Sequence, residues 1–187
     1  MEFKVVEHSP ARIRVLDAAL DLFAEHGVSA TSLQMIADRV GITKAAVYHQ
    51  FPTKERIVLA VTERELGRLI PALEEAETQD HADEARDALL VRVIDMAVRD
   101  RRLVRTLQFD PVVVRLLAEH EQFQRFMSRL YRVLFGDLDD DGRIEGAMLS
   151  GAISAAVMHP LVADVDDATL RAKITELTRR ILGMPTS

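Results

Sequence analysis

The chain has 187 residues, 48% hydrophobic and 29% charged, which is enough apolar material for a packed core. It has no cysteine, so disulfides, thiolate catalysis, iron–sulfur clusters and cysteine-ligated zinc are excluded. The net charge is −6, but residues 1–56 carry seven basic and seven acidic side chains; that first quarter is neutral and cannot hold a polyanion by bulk charge.

Eight glycines and six prolines are too few for many hairpins and favour long helices. No run of 18 uncharged apolar residues occurs, and the first residues hold no apolar stretch long enough for an export signal. A cytoplasmic protein without a membrane span is expected.

Ser9-Pro10 predicts a capped helix start, Ile13, Leu16, Leu20 and Phe23 give it one apolar face, and Gly27 stops it. Thr31 with Gln34 predicts a capping box opening a short helix through Ile36, Ala37 and Val40, ended by Gly41. Thr43 caps another short helix to about Gln50. After Pro52-Thr53 a fourth begins near Lys54, with Ile57, Val61, Leu66, Leu69, Ile70 and Leu73 on one face and Pro71 inside it as a kink or stop. Residues 74–84 are polar and predict a connection. Further helices are predicted over 85–98, 103–108, 111–135, 144–159 and 168–182, with breaks at 110–111, 136–142 and 160–167. The expectation is an all-α protein of about nine helices: an N-terminal three-helix domain over 1–56 and a larger helical bundle over 57–187.

Residues 33–51 carry the informative pattern. Two such short helices cannot bury a core alone, but Ala37 leaves room for a close crossing and Gly41 can turn the chain at positive φ. Ile36, Val40, Ile42 and Val47 then point inward, under Leu16, Leu20 and Phe23. This is a helix–turn–helix pattern, and its second helix leaves Thr43, Lys44, Ala45, Tyr48 and His49 outside. An α-helix fits the major groove of B-DNA with its N-terminal residues nearest the bases. Thr43, Lys44 and Ala45 are therefore the base-facing candidates: Lys44 can donate to guanine, and Ala45 and Ala46 permit close approach or contact with a thymine methyl. Tyr48 and His49, one turn on, are assigned to phosphates, with Lys54, Thr31 and Ser32 at nearby helix starts.

The stretch from Ala11 to Val61 also resembles the N-terminal DNA-binding domain of TetR-type repressors over about residues 10–60. Phe23, Gly27, Thr31, Ile36-Ala37, Val40-Gly41, Tyr48, Phe51 and Lys54 fall where that family has them. The resemblance implies a homodimeric one-component regulator whose variable helical C-terminal domain binds a small ligand and releases DNA. Ala45 stands where many members carry glycine, so the operator sequence is not inherited.

One helix of about eight residues reads too few base pairs to find a single site, so two copies on a palindromic double-stranded operator are expected. Ala147, Gly151, Ser154, Ala155 and Met158 form a face of mostly small residues, and Leu170, Ile174, Leu177 and Ile181 a heptad-like stripe; these are the expected homodimer surfaces, with packing inside the subunit as the alternative. Met96, Leu107, Phe109, Phe123, Phe126, Met127, Tyr131 and His159 are the candidate lining of a pocket for a hydrophobic small-molecule effector, against the alternative of plain core.

Two motifs lead nowhere. Asp137, Asp139, Asp141 and Gly142 match half of a calcium loop, but Met148 stands where a bidentate carboxylate is needed, so the stretch reads as an acidic loop capping the next helix. His120-Glu121 begins a zinc motif whose second histidine position holds Gln124. With no nucleophile–base pair, metal set or phosphate-binding glycine loop, the chain reads as no enzyme, with no cofactor and no metal. It reads as a DNA-binding transcriptional regulator, alternatively as an interaction module that keeps the helix–turn–helix as scaffold.

Overall fold

The computed structural model describes residues 8–78, 82–136 and 139–184, and every regular element among them is a helix. The order is α1 (Pro10–His26), α2 (Leu33–Val40), α3 (Lys44–Gln50), α4 (Lys54–Gly67), α5 (Ile70–Thr78), α6 (Ala82–Arg99), α7 (Arg101–Val104), a π-helical segment (Arg105–Phe109), α8 (Pro111–Ala118), α9 (Glu121–Phe135), α10 (Asp140–Met158), a 3-10 turn (Pro160–Val162) and α11 (Asp167–Ile181).

Eleven α-helices replace the expected nine because two long predicted helices are broken. The fourth ends at Gly67 and restarts at Ile70, which places Pro71 in a first turn, where its missing N–H leaves no bond unmade. The stretch 111–135 breaks at Glu119-His120: His120 takes an extended backbone, and its Nδ1 accepts from the Phe123 N–H at 3.4 Å, starting α9 anew. The expected polar connection over 74–84 is mostly helix, since α5 runs to Thr78 and α6 begins at Ala82. The predicted helix over 103–108 is four α-helical residues followed by the π segment.

Two apolar cores form. The first joins α1, α2, α3 and the first half of α4, and closes on Leu103, Val113 and Leu117 from α7 and α8. The second runs from Leu66 of α4 through α5, α6, α9, α10 and α11. Each fully buried Leu, Ile, Val or Phe contributes about 1.5–3 kcal/mol relative to exposure. The helix α4 is common to both cores, and polar contacts bind it to α1: Arg64 pairs with Asp17 at 2.8 Å and with the buried Glu65 at 2.6 Å.

Candidate nucleic-acid interface and internal cavity

The turn between α2 and α3 is built as its residues dictate. Gly41 sits in the left-handed region (φ 75°, ψ 36°), its N–H donating to the carbonyls of Ala37 and Asp38. The Ile42 N–H also donates to Ala37, at 3.0 Å, so the chain reverses within three residues. Ala37 is completely buried at the crossing. The Thr43 hydroxyl accepts from the Ala46 N–H at 3.2 Å and starts α3.

The two faces of α3 differ completely. Val47 is 0% exposed and anchors the helix, whereas Thr43, Lys44, Ala45, Tyr48 and His49 are all exposed, Tyr48 at 59%. The far end is clamped by Phe51, which is buried and lies under the Arg12 guanidinium, 4.5 Å from the ring centroid. Arg39 at the end of α2 binds Glu25 of α1 at 2.9 and 3.3 Å and holds that carboxyl below its usual range. The helix is thus presented outward on a support that leaves it little freedom.

The phosphate set needs two corrections. Thr31 is 1% exposed and its hydroxyl donates to the carbonyls of Gly27, at 2.8 Å, and Leu22, so it cannot reach a phosphate. It is also not the cap: Ser32 is, accepting from the Met35 N–H at 3.2 Å, while Gln34 bonds Asp38 instead of closing a capping box. Lys54 turns inward, donating to the carbonyls of Val28 at 2.8 Å and Ser29 at 3.1 Å; two of its three N–H donors hold the turn after α1. One cation went unnoticed in the sequence. Arg56, in the first turn of α4, is exposed and has no ion-pair partner among the described residues, and no cap or periodicity singles it out.

The support itself is tied to the rest of the molecule. Asp110, buried before α8, accepts from the Val28 N–H at 2.7 Å through Oδ2, while its Oδ1 accepts from the N–H groups of Val112 at 2.9 Å and Val113 at 3.2 Å. Gly27, at φ 81°, is where this turn needs glycine, since a Cβ there would come within 3.3 Å of that same carboxylate. Arg102 of α7 binds Asp100 at 3.1 Å and reaches Asp21 of α1.

A cavity of about 140 Å³ lies among the ends of α4 and α7, the π segment, α6, α9 and α10. Met96, Leu107, Phe123, Met127 and Tyr131 line it as expected. Three candidates do not. Phe126 is buried in the second core without reaching the cavity, and Phe109 is 53% exposed because the π segment turns it outward. His159 is exposed, its Nδ1 accepting from the Leu161 N–H at 3.2 Å to start the 3-10 turn. Four polar residues, Gln108, Ser150, Ser154 and Thr178, also line the cavity and went unrecognised as lining.

The expected pairing stripes divide as well. Leu170 and Ile174 are buried in the second core and Ser154 faces the cavity, so none of the three can meet a partner chain; Met158 is half-buried against the same core. Ala147, Gly151, Ala155, Leu177 and Ile181 remain exposed, and Ile144 and Met148 of α10 are exposed with them. Asp139 caps α10, accepting from the Gly142 N–H at 2.9 Å, whereas Asp137 lies outside the described residues. Among the described residues, no helix is long and apolar enough to cross a membrane.

Comparison with known proteins gives concordant results. The model of the bacterial regulatory proteins of the tetR family matches residues 15–61. Over 98% of its length the chain is 24% identical to the HTH-type transcriptional regulator UidR of Escherichia coli, of which it covers 96%. Its fold matches that of Mycobacterium smegmatis AmtR with a TM-score of 0.70 at 22% identity, covering 98% of this chain and 91% of that one. It also matches the transcriptional regulator FadR of Bacillus subtilis, solved in complex with stearoyl-CoA, with a TM-score of 0.63 at 19% identity over 89% of this chain and 96% of that one.

Proposed function

Because the chain belongs to the TetR family of DNA-binding transcriptional regulators, we propose that it acts as a cytoplasmic homodimeric repressor that a small hydrophobic effector releases from a palindromic operator. In this reading residues 1–56 read DNA, and residues 57–187 pair the subunits and hold the effector. The carrying observation is the outward presentation of α3, with Thr43, Lys44 and Ala45 exposed at its start and Tyr48 and His49 a turn later. The first three address base edges; Ser32, Tyr48, His49 and Arg56 address phosphates on either side.

Pairing is assigned to the exposed part of α10 and α11, namely Ile144, Ala147, Met148, Gly151 and Ala155 with Leu177 and Ile181. Small residues there let two copies approach closely, and four exposed large apolar side chains on two neighbouring helices form a patch of the kind that partners cover.

Selection of bound sequences from random DNA, followed by gel-shift titration, tests the reading. The expected product is a two-fold symmetric site with half-sites one helical turn apart or a multiple of it. Leu177→Glu with Ile181→Glu should convert the dimer to a monomer in sedimentation and lower operator affinity by at least tenfold. Selection of an asymmetric single half-site, or an unchanged mass in that variant, would count against it.

A further inference from the structure

Ser154 of α10 and Thr178 of α11 both line the cavity, at 7% and 4% exposure. Neither hydroxyl has a hydrogen-bond partner among the described residues. A buried hydroxyl left unbonded is destabilising, and two on one cavity wall need a reason. The rest of the lining is apolar, with Met96, Phe123 and Met127 prominent, and contains no Asp, Glu, Lys, Arg or His. A carboxylate, phosphate or ammonium placed there would lose its water without gaining a countercharge.

Volume narrows the occupant further. A cavity of about 140 Å³ is close to the roughly 150 Å³ of an engineered apolar cavity that takes up benzene. A long acyl chain exceeds it severalfold, and the phosphates of a nucleotide thioester would meet no cation inside it. Met96 and Met127 can re-pack around bodies of slightly different shape, but not around that difference.

We propose that the cavity receives an uncharged molecule of about one ring in size carrying one hydrogen-bonding group, which Ser154 and Thr178 bind. The proposal rests on the effector reading above and sets this chain apart from the Bacillus subtilis neighbour, whose ligand is stearoyl-CoA. It also gives the ligand leverage. Ala155 and Leu177, next in sequence to the two hydroxyl residues, face outward on the helices assigned to pairing, so a bond formed inside pulls on the pairing helices themselves.

The test uses the full chain and four probes in calorimetric and thermal-shift titrations at pH 7: phenol, toluene, benzoate and stearoyl-CoA. Phenol should bind saturably, toluene about tenfold more weakly, and the two anions not at all. Ser154→Ala with Thr178→Val should bring phenol down to the level of toluene, leave toluene unchanged, and leave the ligand-free protein at least as stable, since it removes two unbonded hydroxyls. Should the double variant fail to fold, Ser154→Ala alone must narrow the phenol-to-toluene ratio. Equal affinity for phenol and toluene in the unaltered protein, or a variant that leaves the ratio untouched, overturns the proposal. Binding of stearoyl-CoA with release of DNA also overturns it but keeps the effector reading, whereas failure of every probe removes both.

Discussion

In α1–α3 the inward apolar side chains are sealed, and each helix start is capped by a hydroxyl from Ser9, Ser32 or Thr43. The helices α6–α11 instead enclose unfilled space, carry a π-helical segment on its wall and leave two hydroxyls without partners. The difference is one of purpose expressed as packing. A surface that reads bases must hold its side chains in register, so every degree of freedom beneath it is removed. A chamber that must answer to a ligand keeps volume and bonding capacity unspent, and forgoes the stability that filling them would bring.

Asp110 is where the two meet, and its removal should have the largest effect. Asp110→Ala strands the buried Val28 N–H and uncaps α8 in one step. The expected loss is about 3 kcal/mol, a fall in Tm of roughly 6–12 °C for a chain of this size. Operator affinity should fall with it, because the turn carrying Val28 also receives Lys54. A Tm change below about 2 °C would mean that the two regions are joined elsewhere, with Arg102 and Asp21 the next candidates.

Gly41→Val strikes the reading region alone. A Cβ at this position meets nothing within 4 Å, so the cost is that of a β-branched residue at φ 75°, about 2 kcal/mol. Denaturant unfolding should register that loss, with Gly41→Asn costing about half as much, since asparagine tolerates the left-handed region. Equal costs for the two would place the strain outside the backbone.

The same contrast explains what could be read from the chain. The helix–turn–helix was legible because its determinants are short-range: Ala37, Gly41 and Thr43 act within one turn of themselves, and Val47 follows from helical spacing. Even there spacing misled once, since Thr31 and Ser32 both suit a cap and only packing decides that Thr31 goes inside. In the larger region, long-range contacts decide. The apolar stripe across 111–135 gives no sign that His120 restarts the helix, and the stripe Leu170, Ile174, Leu177, Ile181 spans two faces with opposite fates. Ser154 sits among small residues and looks like one of them until the fold turns it toward the cavity.

Within the reading surface, base and phosphate contacts can be separated by two milder variants. Lys44→Ala should cost about 1–2 kcal/mol at one base pair and relax preference there, because the lost donor addresses a base edge. Binding measured on operators altered one position at a time checks this. A uniform loss across all operators would move Lys44 to the phosphate set.

Tyr48→Phe is the smallest change and the sharpest probe of the outer end of α3. Tyr48 is 59% exposed, so deleting its hydroxyl leaves the support beneath α3 untouched and the Tm unchanged. A hydroxyl bonded to a phosphate contributes about 0.5–1 kcal/mol, so affinity should fall roughly two- to fivefold, equally on every operator. Since the hydroxyl is neutral, it displaces no counterion and the slope of log affinity against log salt should stay the same. Arg56→Ala provides the contrast, lowering that slope by about one unit if the exposed guanidinium meets a phosphate. A loss confined to particular operators would bring Tyr48 into the groove. No loss at all would leave its ring clear of the duplex and shorten the reading surface to the first turn of α3.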